Sequence, residues 1–236
     1  QALILSDWGR LEEAMARHIE EERICKDLGN LDGRSRSLGN QANILYAWGR
    51  LEEAMDLLKE VERICRQLGN LDGLQACLGN QANILYAWGR LEEAMALYKE
   101  QERICKDLGN LAGFSTCLGN QALILYQWGR LEEAMELHKE EERICKQLGN
   151  LDGLSACLGN QALILSDWGR LEEAMALHKE EERLSKQLGN IEGICISWVK
   201  QGLIYGKKGE LEKLIALLEE ALALAREHKL HHLADQ

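Results

Sequence analysis

Along residues 71–110 the apolar positions fall into two helical runs. In the first, Leu74, Leu78, Ala82, Leu85 and Trp88 recur at steps of three and four. In the second, Leu91, Ala94, Tyr98, Cys105 and Leu108 keep a spacing near 3.6 per turn. The polar residues between them read as helix ends. Asn70-Leu71-Asp72 offers an N-cap and an early carboxylate, and Glu92 and Glu93 place negative charge in the first turn of the second run. Gly109-Asn110 closes that run with residues tolerant of left-handed geometry, and Trp88-Gly89-Arg90 turns the chain between the two.

This pair of runs repeats. Residues 41–70 and 81–110 match at 25 positions, and units start at 1, 41, 81, 121 and 161, with a divergent C-terminal unit over 191–236. The chain therefore reads as a single array over 1–236 of about twelve helices, the first a truncated one at residues 1–8. A lone helical hairpin cannot bury both apolar faces, whereas stacked hairpins can. The expected fold class is all-α: a right-handed α-solenoid of antiparallel helix pairs.

Composition sharpens this picture. The 236 residues contain no proline and 22 glycines, so glycine must do the turning. A net charge of −11 argues against a nucleic-acid partner, because phosphate is repelled. No apolar run approaches the roughly 18–20 residues that span a bilayer, so no membrane partner is expected. The chain starts Gln1-Ala2-Leu3 inside an amphipathic pattern and lacks an initiator Met, so it is read as a fragment or processed piece with no secretory signal.

Within each unit, Gly89 closes the first helix, Ala94 follows five residues later, and an aromatic or His stands four further on (Tyr98, His138). An LGN tag precedes each next unit. With these residues the unit resembles a tetratricopeptide repeat of the long, roughly forty-residue type. It looks most like the subclass found in cell-polarity adaptors and bacterial multi-repeat sensors. Two features depart from the family: Gln41, Gln81 and Gln121 stand where it usually has Leu, and the proline that often ends the second helix is missing. The resemblance implies that the first helices line a concave groove.

Helical spacing places Gly79, Asn83, Tyr86 and Arg90 on one stripe, which by resemblance faces that groove. The candidate peptide-binding residues are Asn43, Tyr46 and Arg50, then Asn83, Tyr86 and Arg90, then Leu123, Tyr126 and Arg130. Tyr offers amphipathic contact area, Asn bonds a peptide backbone through donor and acceptor together, and Arg supplies donors for a carboxylate. An acidic or C-terminal segment is the expected occupant. Gly39, Gly79, Gly119 and Gly159 cost roughly 1 kcal/mol each inside a helix. They are read as close helix packing or as room for a ligand chain.

The remaining chemistry reads as structural. Cys25, Cys65, Cys105 and Cys145 lie late in second helices, and Cys77, Cys117 and Cys157 lie twelve residues further on. No CxxC spacing suggests zinc, and free buried thiols in a reducing, cytoplasmic setting fit the pattern. The pairs 65/77, 105/117 and 145/157 stay open as places where thiols approach. His18, His138 and His178 share a slot with Leu58 and Tyr98, which marks it as packing. The Trp8, Trp48, Trp88, Trp128 and Trp168 series is read as core, and His228, His231 and His232 as a solvated terminal helix. No nucleophile–base set and no phosphate loop occur, so neither an enzyme nor a cofactor is expected.

The leading reading is a non-enzymatic scaffold that takes a peptide or protein segment. Two others stay open: a consensus-like or engineered array without a ligand, and the sensor arm of a larger bacterial signalling protein. Leu214-Ile215-Ala216-Leu217-Leu218 is more apolar than its counterparts, and end-to-end self-association is expected from it.

Overall fold

A computed structural model describes residues 10–228 and 230. The first truncated helix, Trp8, His231 and His232 lie outside the described residues. Among the described residues there are eleven α-helices and no strand. They are α1 (Leu11–Asp27), α2 (Leu31–Ala47), α3 (Leu51–Leu68), α4 (Leu71–Ala87), α5 (Leu91–Leu108), α6 (Leu111–Gln127), α7 (Leu131–Leu148), α8 (Leu151–Asp167), α9 (Leu171–Leu188), α10 (Ile191–Lys207) and α11 (Leu211–Glu227). The chain divides within α6 into two compact units, one ending at Cys117 and the other starting at Leu118. In the first, each helix from α1 to α5 packs on the next, and α2 also touches α4. In the second, α7 to α11 pack in the same sequential way. The expected all-α solenoid of antiparallel helix pairs is the fold observed.

The helix ends follow the tags. Asn70 accepts a bond from the Gly73 amide at 2.9 Å and so caps α4, as Asn30, Asn150 and Asn190 cap their helices. Gly69 ends α3 at φ 65°, in the left-handed region that a side chain would strain. Arg50, Arg90, Arg130 and Arg170 stand at the starts of second helices. Each pairs with the Glu three residues on, at Glu53, Glu93, Glu133 and Glu173.

Inside the units, Ala54, Ala94, Ala134 and Ala174 are fully buried, as are Ile64, Ile84, Ile144 and Ile164. The sequence pattern for 71–110 misplaces two members of this core. Leu108 is 37% exposed, and Trp88 is only half-buried. Met95, Ile104 and Gln101 are buried in the same helix pair. Periodicity ranks faces of one helix, but the width of the buried stripe depends on two neighbours, one on each side.

All eight cysteines are buried and unpaired. Their two series do different jobs. The Cys65 sulfur lies against Gly73, where a Cβ would sit 2.8 Å from it. The Cys77 thiol instead donates to the Leu58 carbonyl at 3.0 Å. Burial pushes the Cys77 and Cys117 thiols up to about 12, which keeps them protonated.

Two glycines inside first helices should respond in opposite ways. A Cβ at Gly39 meets nothing within 4 Å, so Gly39→Ala should raise stability by up to about 1 kcal/mol through helix propensity. Gly73→Ala should lower it, since its methyl would press on Cys65 Sγ and Asn70 Nδ2. Thermal melts of the two variants against the parent chain test the pair.

Candidate functional site

In the first unit the predicted groove residues separate into two kinds of cleft. One, of about 320 Å³, is lined by Asn43, Tyr46, Asn80 and Asn83 over Leu58 and Ile84. Asn80 donates to the Asn43 side-chain oxygen at 2.9 Å. The buried Tyr98 hydroxyl donates to the Asn83 oxygen at 2.6 Å, and the phenol is pushed up by burial and by nearby Tyr46 and Tyr86. Tyr46 is 45% exposed and offers its ring to solvent. Tyr86 is half-buried.

Arg50 and Arg90 line a different cleft. There Gln81, Leu85, Trp88 and Arg90 form one wall and Met55, Asp56, Lys59 and Leu97 the other, around about 670 Å³. Forty residues earlier the same positions, Gln41, Leu45, Trp48 and Arg50 with Met15, Ile19 and Leu57, enclose about 410 Å³. In each, the guanidinium lies 5.9 Å from the Trp ring centroid while its Nε and Nη2 donate to the Glu carboxylate. The single Asn–Tyr–Arg stripe is therefore not what the structure builds. Two nitrogens of each guanidinium are engaged by the Glu, and the Arg faces Trp rather than Tyr. The half-buried Trp, read from sequence as core, is a cleft wall. Its signal was present in the constant Trp-Gly-Arg tag, which stacking alone does not require.

Except at Gly39, where a Cβ would meet nothing, the glycines of this series do not lie open beneath a ligand. Gly79 is buried, and a Cβ there would meet the Gln101 side chain at 2.8 Å. In the second unit Gly119 and Gly159 face Glu141 and Glu181 in the same way, at 2.5 Å. Their purpose is close approach of a neighbouring side chain.

In the second unit Leu123 and Tyr126 are half-buried, and Arg130 is exposed and paired with Glu133. The Tyr126 hydroxyl donates to Asp167 Oδ2 at 2.6 Å. That bond, with burial and the carboxylate's charge, pushes the phenol up to about 12. Glu181 is buried beside His178 Nδ1 at 2.8 Å and Lys200 Nζ at 2.8 Å. Burial alone would raise its pKa, but these two partners hold it below the ordinary carboxylate value.

The structure is all-α with a helix pair as its repeating element, which defines a helical repeat array. The family model of the tetratricopeptide repeat matches residues 197–228. No curated protein matches the chain in sequence. BtubC (BKLC) from P. vanneervenii is similar in structure with a TM-score of 0.79 at 17% identity, over 93% of this chain and 92% of that one. The signal-transduction ATPase of the STAND type with a tetratricopeptide repeat sensor, from Pyrococcus horikoshii, scores 0.78 at 16% identity. There the match covers 99% of this chain but 37% of the other. A Rap protein complexed with Competence and Sporulation Factor scores 0.73 at 10% identity, over 99% and 70%. At such identities the likeness is one of fold, a helical repeat array of the tetratricopeptide type, and the family model itself matches only residues 197–228.

Tyr126 gives a spectroscopic check on the second unit. Its neutral form is favoured in the folded state, so the stabilisation is complete below pH 10 and lost as pH rises through about 12. Ultraviolet titration should show a phenol ionising near 12, and Asp167→Asn should bring that step back toward 10.

Proposed function

We propose that the chain is a non-enzymatic protein-interaction scaffold, one array over 1–236 that takes an extended peptide or a segment of a partner protein. The observation that carries this reading is the recurrence of one cleft, with Trp48 and Arg50 and again with Trp88 and Arg90, at one-repeat spacing. Regularly spaced pockets suit an extended segment, whose side chains also recur at fixed intervals. The Asn43, Tyr46 and Asn83 cleft adds amide donors and acceptors for its backbone. Leu123, Tyr126 and Arg130 are the equivalent positions in the second unit. The likeness to a Rap protein complexed with a factor, and to a repeat sensor inside a larger ATPase, supports binding over a purely structural role. The sensor-arm reading is favoured by the small share of that ATPase the match covers. Eight unpaired thiols suit a reducing, cytoplasmic setting. No helix of the described residues is long and apolar enough to cross a membrane.

Peptides selected on the whole chain from a random library test the scaffold. Tyr46→Ala should weaken a selected segment by about 1–3 kcal/mol. The melting temperature should hold, because the ring is half exposed. A library that yields no sequence preference would favour an array without a ligand. Leu203, Leu211, Ile215 and Leu218 are exposed on α10 and α11, and we expect them to drive self-association at high concentration. A monomer by light scattering at millimolar protein would overturn that.

A further inference from the structure

Three ligating atoms from α7 and α8 meet in the second unit: His138 Nδ1, a Glu141 carboxylate oxygen and Cys157 Sγ, all within 4.8 Å of one another and all buried. His138 Nδ1 and Glu141 Oε2 are 2.8 Å apart. The Cys157 thiol donates to the His138 carbonyl at 2.9 Å, and Gln161 Nε2 lies 3.3 Å from the sulfur. Each described repeat has these three slots, but only here do they hold His, Glu and Cys together. The others hold His18, Glu21 and Ser37; Leu58, Val61 and Cys77; Tyr98, Gln101 and Cys117; and His178, Glu181 and Ser197. The next repeat shows what the buried carboxylate asks for. Glu181 receives the Lys200 ammonium at 2.8 Å, whereas the position equivalent to Lys200 beside Glu141 is Asn160.

We propose that His138, Glu141 and Cys157 form a three-ligand site for a zinc-class divalent ion. One nitrogen, one oxygen and one sulfur suit that ion, with bonds of about 2.0–2.3 Å, and a small inward shift of the side chains reaches them. Zinc takes the Nδ1 lone pair, so the imidazole carries its proton on Nε2. The thiol proton passes to solvent as the metal–sulfur bond forms, and Gln161 then donates to the bound thiolate. No oxidation change occurs. Glu141, 8% exposed, is the member nearest solvent and the point of entry.

The test is a cobalt(II) titration of the whole chain under reducing conditions, with the chain also refolded in the presence of the ion. The expected result is a thiolate-to-cobalt charge-transfer band that saturates at one ion per chain and is displaced by zinc. Terminal histidines cannot produce that band. Cys157→Ser should abolish it while keeping the fold, since Ser37 and Ser197 fill the same slot and Ser37 donates to the same type of carbonyl. Glu141→Gln, matching Gln101, should weaken cobalt at least tenfold. Zinc should raise the melting temperature of the parent and not of Cys157→Ser. No thiolate band up to millimolar cobalt, or a band unchanged in Cys157→Ser, overturns the proposal.

Discussion

The junction between consecutive helix pairs is governed by how closely a side chain of one helix can approach the backbone of another. At Gly73 the Cys65 sulfur occupies the space a Cβ would take, and at Gly79 the Gln101 amide does the same. A glycine inside a helix costs roughly 1 kcal/mol. Close contact with these side chains offsets that cost, because dispersion falls off steeply with a gap of even an ångström. Where the facing side chain is short of the glycine, as at Gly39 opposite the Val61 slot, the glycine no longer contributes contact.

The same junction explains why polar chemistry is tolerated in the core. The residue at 18, 58, 98, 138 or 178 is buried whether it is His, Leu or Tyr. Each polar version finds a partner one turn away or across the helix pair: Tyr98 with Asn83, His138 with Glu141, and His178 with Glu181. A buried polar group without a partner costs about 1–3 kcal/mol. Substitutions at this slot are therefore coupled to those at 83, 141 and 181, and each repeat carries its own matched set. That coupling lets one backbone host an amide, an ion pair or a set of metal ligands.

Much of this was readable before any coordinates. The LGN tag gave the cap and the left-handed turn together, and Asn70 with Gly69 sits as those residues dictate. The 40-residue period defined the array and its helix pairs. The groove stripe was not readable, for a definite reason. Gly79, Asn83 and Tyr86 lie on α4, but that helix ends at Ala87. Gly89 turns the chain at φ 71°, and Arg90 opens the next helix. Extending the helical angle past the turn put Arg90 on a face it does not share. The His138–Glu141–Cys157 cluster was missed because two of its members sit one turn apart while the third arrives from α8 through the turn at Gly149. Spacing motifs record ligands along one segment, whereas this set is assembled by stacking.

The engaged arginines bear on what a bound segment looks like. Each Arg–Glu pair is solvent-exposed, and water and salt screen such pairs so that they hold little net attraction. A carboxylate on a partner would exchange one such pair for another and leave Glu53 or Glu93 without its cation. Net attraction for an acidic segment is small on that account, and the chain's charge of −11 opposes it further. The Trp rings, Leu45, Leu85 and Met55 are not subject to this exchange. Apolar contact area there adds without displacing anything but water. In the proposed scaffold, discrimination among segments would rest on aromatic and aliphatic anchors at one-repeat spacing, with Asp56 and Lys59 at the rim, rather than on recognition of a terminal carboxylate.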